Sequence, residues 1–251
     1  YIAEVGNDTT GTGASDDPFR SIQSAINFSS GGDSVTVAAG TYVENINFRG
    51  RNIKVVGEDR ETTIIDGDST GTVVSFKNGE PSSVLMSGFT IQNGARTSDD
   101  WNHNLCGGGM FIVNSSPTLT DMTISDNTVD NKGGGMYFSE SNSTLTNVTI
   151  SGNSAANGGG LTLTSSAGFG PHPTLTNVTI SGNVANGSGG GILYDGAGSN
   201  PPPLTNVTIS GNTASWEGGG MYLTGDSPTL TNVTFSGNSC TLGGGMFLDY
   251  S

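Results

Sequence analysis

The chain has 251 residues, 8 Lys+Arg against 22 Asp+Glu, a net charge of −14 and only 32% hydrophobic residues, with 41 glycines. The acidic balance excludes a phosphate-backbone binder and an anionic membrane surface, both of which need clustered Lys/Arg, and no apolar run reaches the ~20 residues of a membrane span. Val, Ile and Thr are plentiful and regularly placed, which predicts an ordered all-β protein with many turns rather than acidic disorder. Tyr1 in place of a start methionine predicts a processed chain.

In chain order, the first expected element is a short helix. Phe19, Ile22 and Ile26 share one helical face, and Asp16 or Asp17 is placed to cap its start. Such a helix would cover the open end of a stack of strands. Val35–Val37, Ile53–Val56, Thr63–Ile65 and Val73–Phe76 then read as strands of irregular coils. Asp66-Gly67-Asp68 offers a weak calcium-type turn; otherwise no cofactor or metal is expected.

Repeats dominate the rest. A phrase close to LTNVTISGN begins at Leu119, Leu145, Leu175, Leu204 and Leu230, with a looser copy at Met86. Each copy is followed by a glycine triplet, starting at Gly107, Gly133, Gly158, Gly189, Gly218 and Gly243. An apolar–x–apolar segment follows each triplet. The unit holds three strand-like pieces, exemplified by Thr144–Thr146, Val148–Ser151 and Leu161–Leu163, and no helical period. Repetition of this kind predicts one coil of a parallel β-solenoid per copy. The expected organisation is a single domain: residues 1–33 as the cap, 34–83 as irregular coils, 84–251 as six regular ones.

Stacking turns sequence columns into rows. Asn127, Asn153, Asn183, Asn212 and Asn238 follow the strand and are expected to form an amide ladder at a turn. Val148/Ile150 and Leu161/Leu163, with their equivalents, are the expected core. Thr90, Thr123, Thr149, Thr179, Thr208 and Thr234, with Ser125, Ser151, Ser181, Ser210 and Ser236, give an outward hydroxyl face. That face reads either as strand pairing or as an array matching an ordered lattice such as ice. A second outward column holds Phe111, Tyr137, Leu193, Tyr222 and Phe247. It is either a binding stripe for sugars or protein or a row covered by a loop. The glycine triplets lack the Lys and the helix of a phosphate cradle and read as tight bends. The sequons at Asn147, Asn177, Asn206 and Asn232 recur at one repeat position, so structural repetition accounts for them.

Chemistry is sparse. Cys106 and Cys240 are five coils apart, roughly 24 Å, too far for an intrachain disulfide. The insertion at 94–106 carries Asp99, Asp100, Trp101, His103 and Cys106, and reads as a solvated loop or a Cys–His–Asp or metal site. His172 lies within a second insertion at 165–173 and Asp195 opens a third at 195–203, and the two are expected to project side by side as a partner-binding corner. The acidic residues after position 133 (Glu140, Asp195, Glu217, Asp226 and Asp249) sit at different repeat positions, so no catalytic carboxylate pair is expected.

The repeat phrases resemble those of chlamydial polymorphic outer-membrane proteins, with their F-x-x-N and G-G-A-[ILV] phrases. Phe235-Ser-Gly-Asn238 matches the first, with Ile for Phe at Ile124–Asn127, Ile150–Asn153, Ile180–Asn183 and Ile209–Asn212. Gly133–Met136 and Gly189–Ile192 approximate the second. The resemblance spans about residues 84–251, and the first 80 residues are similar to the helix-capped start of secreted β-helix proteins. It implies a right-handed parallel β-helix acting as a non-enzymatic, extracellular or cell-surface adhesin or structural module. Expected partners are other surface proteins, glycans or further copies of the chain. The last repeat ends without a polar cap, which predicts end-to-end self-assembly. Polysaccharide binding or polysaccharide-lyase activity is the alternative, and ice binding a further one.

Overall fold

The computed structural model describes residues 1–96, 107–165, 172–196, 201–225 and 227–249. Among these, the strands form three all-parallel sheets of 14, 8 and 5 strands, accompanied by one short helix, Ile22–Phe28. The first sheet is bent. Its two arms carry Thr144–Thr146 and Thr149–Ser151 with their equivalents, which fuse into single eight-residue strands at Thr118–Ser125 and Thr144–Ser151. The second sheet runs from Ile46–Asn47 to Met246–Asp249. The third is built of two-residue strands, Ala95–Arg96, Thr128–Val129, Ser154–Ala155, Val184–Ala185 and Thr213–Ala214. Two residues are too few to show a period, so these strands are not legible in the sequence.

Register is that of the repeat. Ile150 pairs with Ile124 and Ile180, and Leu161 with Met136 and Ile192. Like residues therefore lie one coil apart, ~4.8 Å, and a strict period-2 alternation sends one set inward. Val148, Ile150, Leu161 and Leu163 are all buried, as are Met122, Ile124, Val178, Ile180, Val207 and Ile209. A narrow interior suffices because each short strand contributes two apolar residues and its neighbours continue the row.

The helix begins later than the sequence suggests. Ser21 is the N-cap, accepting from the Ser24 amide, and neither Asp16 nor Asp17 takes that role. Phe19 is buried but lies ahead of the helix. Glu44 accepts from the Ile22 and Gln23 amides at 2.8 and 2.9 Å, and Asp8 from those of Arg20 and Ser21. Carboxylates from distant parts of the chain thus satisfy the helix's orphan donors, which no local capping rule anticipates.

Two asparagine ladders run along the rod. The inner one is Asn127, Asn153, Asn183, Asn212 and Asn238, the first four fully buried. Each Nδ2 from Asn127 to Asn212 donates to the Oδ1 of the next at 2.9–3.0 Å. Asn153, Asn183, Asn212 and Asn238 also donate to an isoleucine carbonyl of the preceding coil. Left-handed backbone geometry, expected at these asparagines, falls instead on the residue before them, Asp126, Gly152, Gly182, Gly211 and Gly237. The outer ladder is the sequon column. Asn147, Asn177, Asn206 and Asn232 have φ of 52 to 57°. Their Nδ2 atoms donate in sequence to Asp121, Asn147, Asn177 and Asn206 at 2.8–3.2 Å. Asn tolerates this conformation better than a residue with a larger β-carbon branch, so the sequon asparagines hold the bend of the first sheet.

Candidate functional site: the two outer faces

The outer side of the bent sheet carries the hydroxyl rows. Thr123, Thr149, Thr179, Thr208 and Thr234 are in register, as are Ser125, Ser151, Ser181, Ser210 and Ser236. All are partly or fully exposed, and among the described residues their side chains have no hydrogen-bond partner within the protein. Arg60 closes one end of this face. Its guanidinium donates to the Asn147 carbonyl at 3.1 Å and pairs with Glu61 at 3.3 Å, while its own carbonyl accepts from Thr90 Oγ1.

The outer side of the second sheet is chemically richer. Phe111, Tyr137, Thr162, Leu193, Tyr222 and Phe247 form one row in register. Phe111 lies near-parallel to Tyr137 with centroids 5.6 Å apart, and Tyr222 to Phe247 at 5.8 Å. The row is not exposed along its whole length: Tyr137 is 2% and Leu193 5% exposed, and Thr162 is buried. Phe111, Tyr222 and Phe247 remain partly exposed.

A neighbouring row two residues on holds Ser139, Thr164, Asp195, Thr224 and Asp249. Asp195 and Asp249 therefore share a row, two coils apart, contrary to the expectation that no two acidic residues do. The insertions between repeats hide this in the sequence, since 54 positions separate the two residues. Lys132 Nζ lies 2.9 Å from Asp195 Oδ2. Lys132 precedes its glycine triplet and Asp195 follows the aromatic row two coils on, so the pair crosses that row where Tyr137, Thr162 and Leu193 are buried. The lysine stem is suited to cover apolar surface while its ammonium stays wet.

Glu217 stands before the triplet two coils beyond Asn157, and its Oε2 is 3.5 Å from Ser188 Oγ. Tyr222 donates its hydroxyl to Asp249 Oδ2 at 2.9 Å. Burial, that hydrogen bond, and the charges of Asp249, Glu217 and Asp195 push the Tyr222 phenol up to about 12. Because the folded state holds this proton more tightly, the contribution to stability is complete below the ordinary tyrosine value of 10.0 and is lost as pH rises from there through about 12. We expect phenolate absorbance to show two tyrosines titrating late, Tyr42, which burial and nearby glutamates also push up to about 12, and Tyr222, of which only Tyr222 moves toward the ordinary value in Asp249→Asn. An unchanged titration curve in that variant would break the assignment.

Other singled-out residues play structural parts. Asp66 accepts from the Asp68 amide, Gln92 Nε2 and Asn93 Nδ2. Burial alone raises its pKa, and the three hydrogen bonds outweigh that and hold it below the ordinary value. Its oxygens are thus occupied by N–H donors. His172 Nε2 is 3.2 Å from the hydroxyl of the buried Tyr194. Desolvation holds the imidazole below the usual histidine value, partly offset by Glu140. Glu80, buried and not singled out by sequence, accepts from the Gly50 and Asn78 amides and Ser115 Oγ, and so ties two turns together. Cys240 is a free thiol donating to the Leu242 carbonyl. Asp99, Asp100, Trp101, His103 and Cys106 lie outside the described residues.

All-parallel rows in register, an apolar interior and two long outer faces define a parallel β-helix. Residues 159–251 match the family described as right handed beta helix region, and residues 4–49 match a family described as a protein of unknown function, DUF1565. Among solved structures the chain is similar to pectin methylesterase PemA from Erwinia chrysanthemi, at 11% identity over 95% of this chain and 93% of that one, with a TM-score of 0.42. It is also similar to a pectin methylesterase in complex with hexasaccharide VII, at 10% identity over 98% and 92% of the two chains, with a TM-score of 0.41. Comparison with curated protein sequences gave no significant match.

Proposed function

We propose that the chain is a non-enzymatic, extracellular or cell-surface β-helix that works as a rigid adhesive or structural rod. The observation that carries this reading is the hydroxyl face. Its threonines and serines stay in register from coil to coil while spending no side-chain hydrogen bond on the protein itself. A face that is ordered, repetitive and open in its donors and acceptors suits an extended partner that repeats. The stacked coils supply the stiffness, since the coils are bonded to their neighbours along the first two sheets, and from Ala95–Arg96 to Thr213–Ala214 along the third as well.

The test replaces Thr149, Thr179 and Thr208 together by Lys. These side chains point away from the core, so the circular dichroism and the melting temperature should stay within the small range of surface changes. Retention on a panel of immobilised polysaccharides and matrix proteins should fall at least about tenfold for whichever surface the unmodified protein coats, a change of ~1.4 kcal/mol. Release of methanol, reducing ends or unsaturated sugars from pectin or any other polysaccharide by the unmodified protein would sink the non-enzymatic reading. Undiminished retention of the triple variant would remove the hydroxyl face from it.

A further inference from the structure

We propose that the aromatic–acid face of the second sheet binds an extended glycan whose units carry free amino groups. This deepens the adhesive reading by naming a partner class for a second face, and rests on that reading.

The chemistry of the face selects the ligand. Tyr222 and Phe247 are partly exposed, near-parallel rings in one row, and aromatic rings pack against the apolar faces of sugar rings while attracting cations. Asp195 and Asp249 stand in the adjacent row with Thr224 between them, and Glu217 precedes the glycine triplet of the coil that carries Tyr222, bridged to Leu242 of the next coil. Three carboxylates against the single ammonium of Lys132 leave the face acidic, in a chain of net charge −14. Such a field repels uronic-acid polymers and attracts a polycation. The two carboxylates of the acid row are set ~9.6 Å apart along the rod by two inter-coil steps. That is a spacing for groups on alternate units of an extended chain lying along the axis, not for chelation of one small ion.

Lys132 is the internal stand-in for such a ligand. Its ammonium already occupies Asp195 at 2.9 Å, with side-chain exposures of 26% and 46%. It also crosses the row where Tyr137 and Leu193 are buried. An incoming amino group competes with it for the same carboxylate. Removing the lysine should therefore strengthen binding, an outcome opposite to that of a lysine that merely holds the fold or contacts ligand hydroxyls.

The experiment is calorimetric titration of the full chain with a fully deacetylated β-linked glucosamine hexamer, its fully N-acetylated counterpart and a galacturonate hexamer. Only the deacetylated hexamer should bind, with affinity falling as salt rises. Lys132→Ala should bind it about 5-fold more tightly, the fold-change corresponding to ~1 kcal/mol for a freed surface ion-pair partner. Asp249→Asn with Glu217→Gln, which preserve shape, should weaken it about 10-fold. Equal binding of the acetylated hexamer, weaker binding by Lys132→Ala, or no binding of the deacetylated hexamer each overturns the proposal. The triple threonine variant of the other face should bind the hexamer unchanged, so a failure here leaves the hydroxyl-face test standing, and the reverse.

Discussion

Replacing Asn183 by Ala should destabilise the protein by about 4 kcal/mol in equilibrium urea unfolding, and replacing Asn177 by Gly should leave stability almost unchanged. The two residues look alike in the sequence, both asparagines of the repeat phrase six positions apart. Asn183 is buried, and its Oδ1 accepts from both the backbone amide and the side-chain Nδ2 of Asn153, at 3.0 Å each. Its own Nδ2 donates to Asn212 Oδ1 and the Ile150 carbonyl. Truncation orphans two donors of Asn153 away from water, at about 1–3 kcal/mol each, and leaves a void beside them. Asn177 is exposed, at φ 56°, with ladder bonds that water replaces. Glycine holds that conformation without strain, whereas Asn177→Ala should cost about 1 kcal/mol because an alanine β-carbon disfavours it. A loss below about 1 kcal/mol for Asn183→Ala would show that the inner ladder is dispensable.

Gly190→Ala, like the other middle-triplet glycines in contact with the next coil's backbone, should be strongly damaging, about 3 kcal/mol, at the upper end for overpacking. A β-carbon there meets the Gly219 carbonyl oxygen at 2.4 Å and the Thr213 carbonyl oxygen at 2.6 Å. Both are backbone atoms of the next coil and cannot rotate away. The coils can separate only by breaking bonds such as Gly190 N–H to the Gly218 carbonyl, 3.1 Å. Gly182→Ala provides the control. Nothing lies within 4 Å of its added carbon, and its φ of 62° makes the change one of backbone conformation alone, about 1 kcal/mol. Equal destabilisation by the two alanines would refute close approach as the reason for the triplets.

These contrasts mark where the sequence is informative. The literal repeat of LTNVTISGN fixes the inward rows at Val148 and Ile150 and the spacing of the buried asparagines, because stacked coils require like residues to recur at one position. It does not reveal which asparagine bends the chain. The left-handed conformations at Asn147 and Gly152 differ by one strand, and either residue type accommodates them. It also hides the helix caps, since Asp8 and Glu44 reach Ser21, Ile22 and Gln23 from 13 to 22 positions away.

The candidate site divides in the same manner. The aromatic row was legible because it follows every glycine triplet, and so was its competing reading as a covered row; the structure assigns cover to its middle and exposure to Phe111, Tyr222 and Phe247. The row shared by Asp195 and Asp249 was not legible, because insertions of unequal length displace the numbering while leaving the strands in register.

The sequence by itself determined the coil, its inward residues and the fact that outer residues form rows. Those follow from local alternation and from repetition, which act over a few residues and one period. Only the tertiary structure decided which rows are open and which charges meet across them. The Lys132–Asp195 pair joins residues 63 positions apart, and a contact of that range depends on how many coils, and how much inserted chain, lie between its ends.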